Sequence, residues 1–169
     1  MARRVFFSFH YDRDVWRANQ VRNCNVIQGP ETAGFFDHSE YEEAKRQGQA
    51  GIRRMILSHL EGTTVTVVLI GKQTAERPWV RYEIAQSVAR QNGLLGVHIY
   101  HLKDQDGDSA WWQGKKPEVP SYVPFPTYEW DKDVVRLKRE IEAAAGRAES
   151  WRLSGNPDPA GLLEEDSPF

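Results

Sequence analysis

The chain has 169 residues, of which 40% are hydrophobic, and a formal net charge of −2, which suggests one domain with a substantial core. This charge gives no basic footprint for nucleic acid, and no apolar run approaches the ~20 residues of a membrane span. The single cysteine, Cys24, excludes an internal disulfide and a thiolate metal site, which fits a reducing cytoplasm. Two arginines stand near the amino terminus, but the apolar run after them is only about five residues long and no cleavage pattern follows, so a signal peptide is not expected.

The first predicted strand covers residues 5–9 (VFFSF), an apolar run that is dense in aromatic side chains. His10 and Tyr11 follow its C-terminal end. Asp12 is a suitable N-cap for the helix that comes next, because its carboxylate can accept a hydrogen bond from a free N–H of the first turn.

The position of the second strand stays open between two short apolar stretches. It is either Val26-Ile27 or residues 35–37 (FFD), and residues 28–34 form a loop by their glycine and proline content. Residues 39–48 are rich in charge and are predicted to be exposed.

The clearest amphipathic helix of the first half comes after this charged segment. Its inward positions recur at intervals of three and four residues, at Ile52, Met55, Ile56, His59 and Leu60. Gly62 is suited to end this helix.

The most informative stretch combines an apolar run, a short polar loop and a helix. Residues 65–70 (VTVVLI) are β-branched and show no polar alternation, which predicts an inner strand of a parallel sheet. Pro78 suits the first turn of a helix, where its missing N–H costs nothing. Val80, Ile84 and Val88 recur at every fourth position and form the buried stripe of that helix.

The second half adds another strand and a long irregular region. Residues 94–102 predict the strand, and residues 103–126 form a loop rich in Asp, Gly, Pro and Trp. A loop of this length is usually functional or packed by its own side chains. Trp111, Trp112 and Tyr122 favour the second interpretation.

A short edge strand at residues 127–130 and one more helix complete the predicted elements. The helix is expected to be capped near Asp131 and to end at Gly146. Residues 1–146 are therefore assigned to the domain and residues 147–169 to a C-terminal tail. The alternation of strands and helices predicts a single α/β domain with a doubly wound parallel sheet of flavodoxin-like type.

Motifs for several common chemistries are missing. The sequence has neither G-x-G-x-x-G nor G-x-x-x-x-G-K-[ST], so the usual phosphate cradles are absent. Asp104, Asp106 and Asp108 resemble the start of a calcium loop. Ser109 stands where that loop needs glycine and Lys115 where it needs glutamate, so a solvated turn is the better interpretation. No metal site is predicted.

Glu83 and Trp79 are the candidate functional residues of the helix after the central strand. They lie one turn apart near its N-terminal end, at the rim where open α/β sheets bind ligands. A carboxylate beside aromatic side chains can stabilise the cation that develops when a ribosyl–nitrogen bond breaks. Spacing alone nevertheless favours ordinary roles. The helix dipole favours an acid near the first turn by about 0.3–1 kcal/mol, and Trp79 would fasten the helix to the sheet.

These residues resemble the TIR-like domain family in two segments. VFFSFHYDRD is similar to the opening strand of that family, and SHLEGTTVTVVLIGKQTAERPWVRYEIAQS to the segment with its third strand and third helix. The most specific part is the W-V-x-x-E core at Trp79, Val80 and Glu83. The resemblance covers roughly residues 4–102 and is nearest to the bacterial branch that includes the TIR-like component of Thoeris anti-phage defence.

The resemblance implies a flavodoxin-like fold and cleavage of NAD at its nicotinamide–ribose bond. NAD is then the substrate rather than a cofactor, and Glu83 is the catalytic residue. In the Thoeris branch the product is a cyclic ADP-ribose-type signal that activates a separate effector.

Two hypotheses follow. The first is a cytoplasmic NAD-cleaving enzyme of anti-phage defence with Glu83 as catalytic residue. Ser8, Phe9, His10, Tyr11 and Trp79 would line its cleft. The second is a non-catalytic interaction or adaptor module that associates through its helices and its Trp- and Pro-rich region, for example as a homo-oligomer. Neither hypothesis involves nucleic acid or a membrane.

Overall fold

The computed structural model describes residues 3–24, 32–33 and 38–153, and a parallel sheet lies at its centre. The strands are β1 (Val5–Ser8), β2 (Thr32–Ala33), β3 (Val65–Ile70), β4 (Gly93–His98) and β5 (Thr127–Glu129). Their order across the sheet is β2-β1-β3-β4-β5, and each neighbouring pair runs parallel.

Helices cover both faces of the sheet. They are α1 (Tyr11–Arg22), α2 (His38–Arg46), α3 (Gly48–Leu60), α4 (Pro78–Ala89) and α5 (Val134–Leu153), and a short 3-10 turn at Thr74–Glu76 precedes α4. Helices α1 and α5 pack on one face, whereas α2, α3 and α4 pack on the other. Within the described ranges, no helix is both long and apolar enough to cross a membrane.

The central strand β3 is buried along its whole length. Val67 and Leu69 pack toward α1 and α5, while Val68 and Ile70 pack against α4. Because successive side chains of a strand point to opposite faces, a strand between two helical layers must be apolar at every position. The prediction of an inner strand over residues 65–70 is confirmed.

The strand order reverses between β1 and β3. From β1 the chain moves outward to β2, and it then returns to build β3, β4 and β5 on the other side of β1. This is the strand order of flavodoxin-like sheets, in which ligands bind beyond the carboxyl ends of the strands at the reversal. The predicted fold class is confirmed, and the reversal places a crevice next to Ser8, the last residue of β1.

The second strand lies in a segment that the sequence predicted to be a loop. Thr32 and Ala33 pair with Val5 and Phe6 of β1, whereas both predicted candidates, Val26-Ile27 and residues 35–37, lie outside the described residues. A strand of two residues takes its conformation from pairing with its neighbour, so its own composition carries little signal.

Residues 39–48, predicted to be a charged and exposed segment, are exposed at most positions, but the sequence did not reveal the helix that they form. Most of them belong to α2, which buries Tyr41 and Ala44 against the apolar face of α3. Tyr41 and Ala44 are three residues apart and so share one face of the helix, although charged neighbours mask this short stripe in the sequence.

Two predicted helix boundaries also differ from the structure. His10 rather than Asp12 is the N-cap of α1, and Asp12 lies within the first turn. Gly146 does not end the last helix, because α5 continues to Leu153 and buries Ala148 and Trp151 beyond it. Burial of these side chains outweighs the cost of about 1 kcal/mol for a glycine in a helix.

The sequence suggested that the tryptophans of the long segment after β4 pack this segment, but the structure shows that they do not. Trp111 is 89% exposed and Trp112 is 47% exposed. The start of the segment is held instead by Arg17 of α1, whose guanidinium donates hydrogen bonds to the carbonyl oxygens of Leu102 at 2.8 Å and Asp108 at 3.0 Å. Local sequence pattern cannot reveal a bond between residues more than 80 positions apart.

Candidate active site

A cleft opens at the reversal point of the sheet, and Glu83 lies in its wall. Its lining comes from the end of β1 and the residue after it, from the start of α1, and from α2, α3 and α4 with the residue before α4. The lining residues are Phe7, Phe9, Tyr11, Tyr41, Ile52, Met55, Ile56, Arg77, Trp79 and Glu83. Aromatic and aliphatic side chains dominate this list. Glu83 is the carboxylic acid among them, and it is almost completely buried.

The hydroxyl of Ser8 donates a hydrogen bond to the Oε2 atom of Glu83. Ser8 follows Phe6 by two positions on β1, so it points to the same face of the sheet, where α3 and α4 pack. Val80, Ile84 and Val88 turn α4 onto the sheet and bring Glu83 over the end of β1. The hydrogen bond therefore results from strand alternation and helix periodicity acting together.

Burial raises the pKa of Glu83 from 4.5 to about 8, and the hydrogen bond from Ser8 opposes this rise. Desolvation is the larger effect, because the partner of the carboxylate in the described part of the chain is a hydroxyl rather than a cation. An acid with a pKa near 8 is mostly neutral at pH 7, and a cation bound beside it would favour its ionised form.

Aromatic rings narrow the mouth of the cleft. Tyr11 and Tyr41 stack with ring centroids 4.0 Å apart, and Trp79 meets Tyr82 edge to face with centroids 5.7 Å apart. The cleft encloses about 390 Å³ when its open mouth is counted, but the free space inside holds little more than one water molecule. In this arrangement the cleft has no room for a ligand of nucleotide size.

Charged side chains from three elements meet at the rim. Arg77, immediately before α4, forms an ion pair with Asp12 of α1. Lys45 of α2 lies 3.6 Å from the same carboxylate. This rim contrasts with the apolar interior of the cleft.

The structure brings five of the six predicted site residues together. Phe9, Tyr11, Trp79 and Glu83 line the cleft, and Ser8 contacts Glu83 directly. His10 is also buried, but it is not part of the cleft lining. Burial, followed by the charge of Arg77, lowers the pKa of its imidazole.

Sequence reasoning missed Tyr41, Arg77 and the wall that α3 contributes. The helical stripe with Ile52, Met55 and Ile56 was recognised as core, but its position beside the cleft depends on how α3 packs. The position of Arg77 could have indicated that it lies near the site, since it directly precedes Pro78 at the start of the helix that contains Glu83.

A second, wider depression lies on the outer side of α4. It is bordered by charged side chains, including Arg81, Lys115, Lys116 and Glu118, and Glu83 does not reach it. In the described part of the chain, no group of three or more His, Cys, Asp or Glu residues is placed to hold a metal ion. The buried acid is thus the chemically distinctive feature of the first cleft.

Comparisons with known proteins agree with this geometry. The family model for the TIR-like domain of the Thoeris protein ThsB matches residues 6–104, which include β1, β3, α4 and Glu83. The chain is also 41% identical over 154 residues to a protein of Bacillus cereus (strain MSX-D12) named "Putative cyclic ADP-D-ribose synthase ThsB1". That alignment covers 90% of this chain and 77% of the relative.

Proposed function

The chain belongs to the Thoeris ThsB family of TIR-like domains, and from this membership we propose that it cleaves NAD at the nicotinamide–ribose bond and forms a cyclic ADP-ribose-type signal. The observation that carries the proposal is Glu83, a buried acid held by Ser8 inside an aromatic cleft at the reversal point of the sheet. The name of the Bacillus cereus relative supports the same reaction class.

The charge of the substrate explains why an acid with a raised pKa suits this reaction. The nicotinamide ring of NAD is cationic, so its arrival next to Glu83 lowers the pKa of the acid and favours loss of its proton to solvent. When the glycosidic bond breaks, nicotinamide leaves as a neutral molecule with the bonding electrons. Positive charge then develops on the ribose, where the carboxylate of Glu83 stabilises it.

The apolar lining of the cleft favours attack by the substrate itself over attack by water. Once NAD fills the cleft, the substrate and the aromatic and aliphatic walls leave little solvent around C1′, so a nucleophilic atom of the ADP part of the same molecule bonds to that carbon and afterwards loses a proton. The product is cyclic. We assign it as the signal for a separate effector in anti-phage defence, with the cytoplasm as the compartment, and we expect NAD to be required as substrate without a further cofactor.

Release of nicotinamide from NAD tests the proposal. The wild-type protein and Glu83→Gln are compared alone and with lysate of phage-infected cells, because the protein can be silent until it is triggered. We expect wild-type release upon triggering and a loss of about 100-fold or more in the variant. Mass spectrometry of the products then identifies the cyclic nucleotide.

Glu149→Gln is the matched control, because Glu149 is an exposed glutamate on α5, which packs on the opposite face of the sheet. It should release nicotinamide at the wild-type rate. Equal release by wild type and Glu83→Gln would refute the role of Glu83. No NAD consumption under any trigger, together with self-association that survives Glu83→Ala, would favour the interaction module instead.

A further inference from the structure

Two cations, Arg77 and Lys45, and two acids, Asp12 and Glu42, form a cluster at the mouth of the Glu83 cleft that the chemistry at C1′ does not use. Arg77 lines the cleft and donates a hydrogen bond through Nη2 to Oδ2 of Asp12. The Nζ atom of Lys45 lies 3.6 Å from Oδ1, the other oxygen of the same carboxylate. Asp12 therefore contacts cations from two different elements of the fold, and Lys45 has a second acidic neighbour in Glu42, whose Oε1 lies 3.8 Å from its Nζ.

The cluster is connected to the cleft and open to solution. Lys45 Nζ lies 5.1 Å from the ring centroid of Tyr41, which lines the cleft and stacks on Tyr11. The side chains of Asp12, Lys45 and Arg77 are 43%, 44% and 34% exposed, respectively. An anionic solute can thus reach both cations without disturbing the core.

The chemistry of NAD directs its diphosphate toward this rim. A single CH2 group joins the nicotinamide ribose to the diphosphate, so the phosphates must lie near the mouth when C1′ faces Glu83. Guanidinium groups bind phosphate oxygens through paired N–H donors, and ammonium groups bind them as compact charges. The two cations match the two negative charges of a dinucleotide diphosphate.

We infer that Arg77 and Lys45 bind the diphosphate of the substrate, and that the carboxylate of Asp12 occupies this anion position in the free protein. The inference rests on the proposed function, since it takes NAD as the substrate. Asp12 competes with the substrate for Arg77 and Lys45. When the substrate binds, the ion pairs of these cations with Asp12 are replaced by ion pairs with the diphosphate. The site selects dinucleotides over nicotinamide ribosides that lack phosphate.

Calorimetric binding of inorganic diphosphate and of ADP-ribose, in metal-free buffer, tests the site without requiring turnover. We expect Arg77→Gln to bind both probes at least about tenfold more weakly, and Lys45→Gln to bind them severalfold more weakly. Asp12→Asn should bind them severalfold more tightly, because it removes the one carboxylate that contacts both cations but keeps the size of the side chain.

Arg139→Gln is the control for loss of one positive charge, since Arg139 is 69% exposed and lies on α5. It should bind like the wild type, and thermal melting of all four variants confirms that they are folded. Wild-type affinity in Arg77→Gln would overturn the inference. Unchanged, weaker or undetectable binding by Asp12→Asn would also overturn it.

The two proposals fail in different ways. Diphosphate binding through Arg77 without any cleavage of NAD would refute the proposed function and leave the anion site in place. NAD cleavage with an unchanged KM in Arg77→Gln would refute the anion site and leave the role of Glu83 intact.

Discussion

Ser8 and Glu83, 75 positions apart in the sequence, are joined by a hydrogen bond between two buried side chains at the carboxyl end of β1. The hydroxyl donates to the carboxylate and so favours its ionised form, against the larger effect of burial. The pair therefore sets how much of Glu83 is ionised near neutral pH, and Ser8 acts on the proposed chemistry through Glu83.

Removal of the Ser8 hydroxyl should shift the pH dependence of activity. In the wild type, kcat/KM for nicotinamide release should rise with pH toward a plateau above about 8, the pKa of Glu83. Ser8→Ala removes a hydrogen bond to a charged group, worth about 1.5–3 kcal/mol, so the midpoint should move up by roughly one to two pH units. Rate measurements across pH 6–10 check this expectation.

Ser87→Ala is the matched control for that experiment. Ser87 is a buried serine on the same helix, but it donates to the backbone carbonyl of Glu83, at 2.7 Å, rather than to its carboxylate. It should lower stability without moving the midpoint. A Ser8→Ala profile that coincides with the wild type would show that the hydrogen bond does not tune Glu83.

Glu83→Gln should change how stability depends on pH. Because the folded protein holds the pKa of Glu83 near 8, above the 4.5 of an ordinary glutamate, the stability associated with its neutral form is fully present below pH 4.5. It is lost as pH rises through 8, at up to about 1.4 kcal/mol per pH unit. Glutamine stays neutral, so the melting temperature of the variant relative to wild type should rise by roughly 5 °C or more from pH 5 to pH 8.

Melting curves at several pH values measure this difference, and groups common to both proteins cancel. Glu149→Gln changes an exposed glutamate and should follow the wild-type curve in parallel. A constant difference between Glu83→Gln and wild type over this range would mean that Glu83 is already ionised in the folded protein.

Gly71→Ala should destabilise the domain by about 3 kcal/mol. A methyl group at this position would overlap the buried carboxylate of Asp14. Asp14 cannot move aside freely, because Arg17 holds it at 2.9 Å and also holds the segment after β4. Denaturant unfolding measures the loss, and an unchanged midpoint would mean that Asp14 rearranges without cost.

Gly146→Ala should have the opposite effect. Gly146 lies inside α5, and among the described residues no atom outside the local helix backbone lies within 4 Å of the position that a methyl group would take. Alanine loses less backbone entropy in a helix, so stability should increase by about 0.5–1 kcal/mol. The same unfolding assay measures the gain, and a loss of stability would contradict a continuous helix through this residue.

The sequence was sufficient to predict an element wherever a single local signal, such as an apolar run or a proline, determined the structure. The unbroken apolar run at residues 65–70 identified β3, and Pro78 identified the start of α4. It failed where pairing or packing decided the outcome, as at Thr32–Ala33, whose strand conformation depends on β1. Gly146 was predicted to end the last helix, but α5 continues past it because the side chains that follow, Ala148 and Trp151, are buried.

For the candidate site, too, the sequence predicted what depends on local signals and missed what depends on packing. Strand ends and helix starts converge at one rim in this fold class, so the proximity of Glu83 and Trp79 to the end of β1 could be predicted. The bond between Glu83 and Ser8 could not, because it requires the register of β1 against β3 and the rotation of α4. Arg77 and Tyr41 enter the cleft only once three helices have packed.

The continuation of α5 past Gly146 determines which shorter forms of this protein can be used in the laboratory. A polypeptide ending at Gly146 would retain all five described strands and Glu83, yet it would lack Ala148 and Trp151, which are buried in the full chain. Tyr122, whose ring centroid lies 6.2 Å from that of Trp151, would lose this contact and lie beside a newly exposed apolar surface. Such a truncated species would be prone to aggregate, so fragments prepared for crystallisation should extend at least to Leu153.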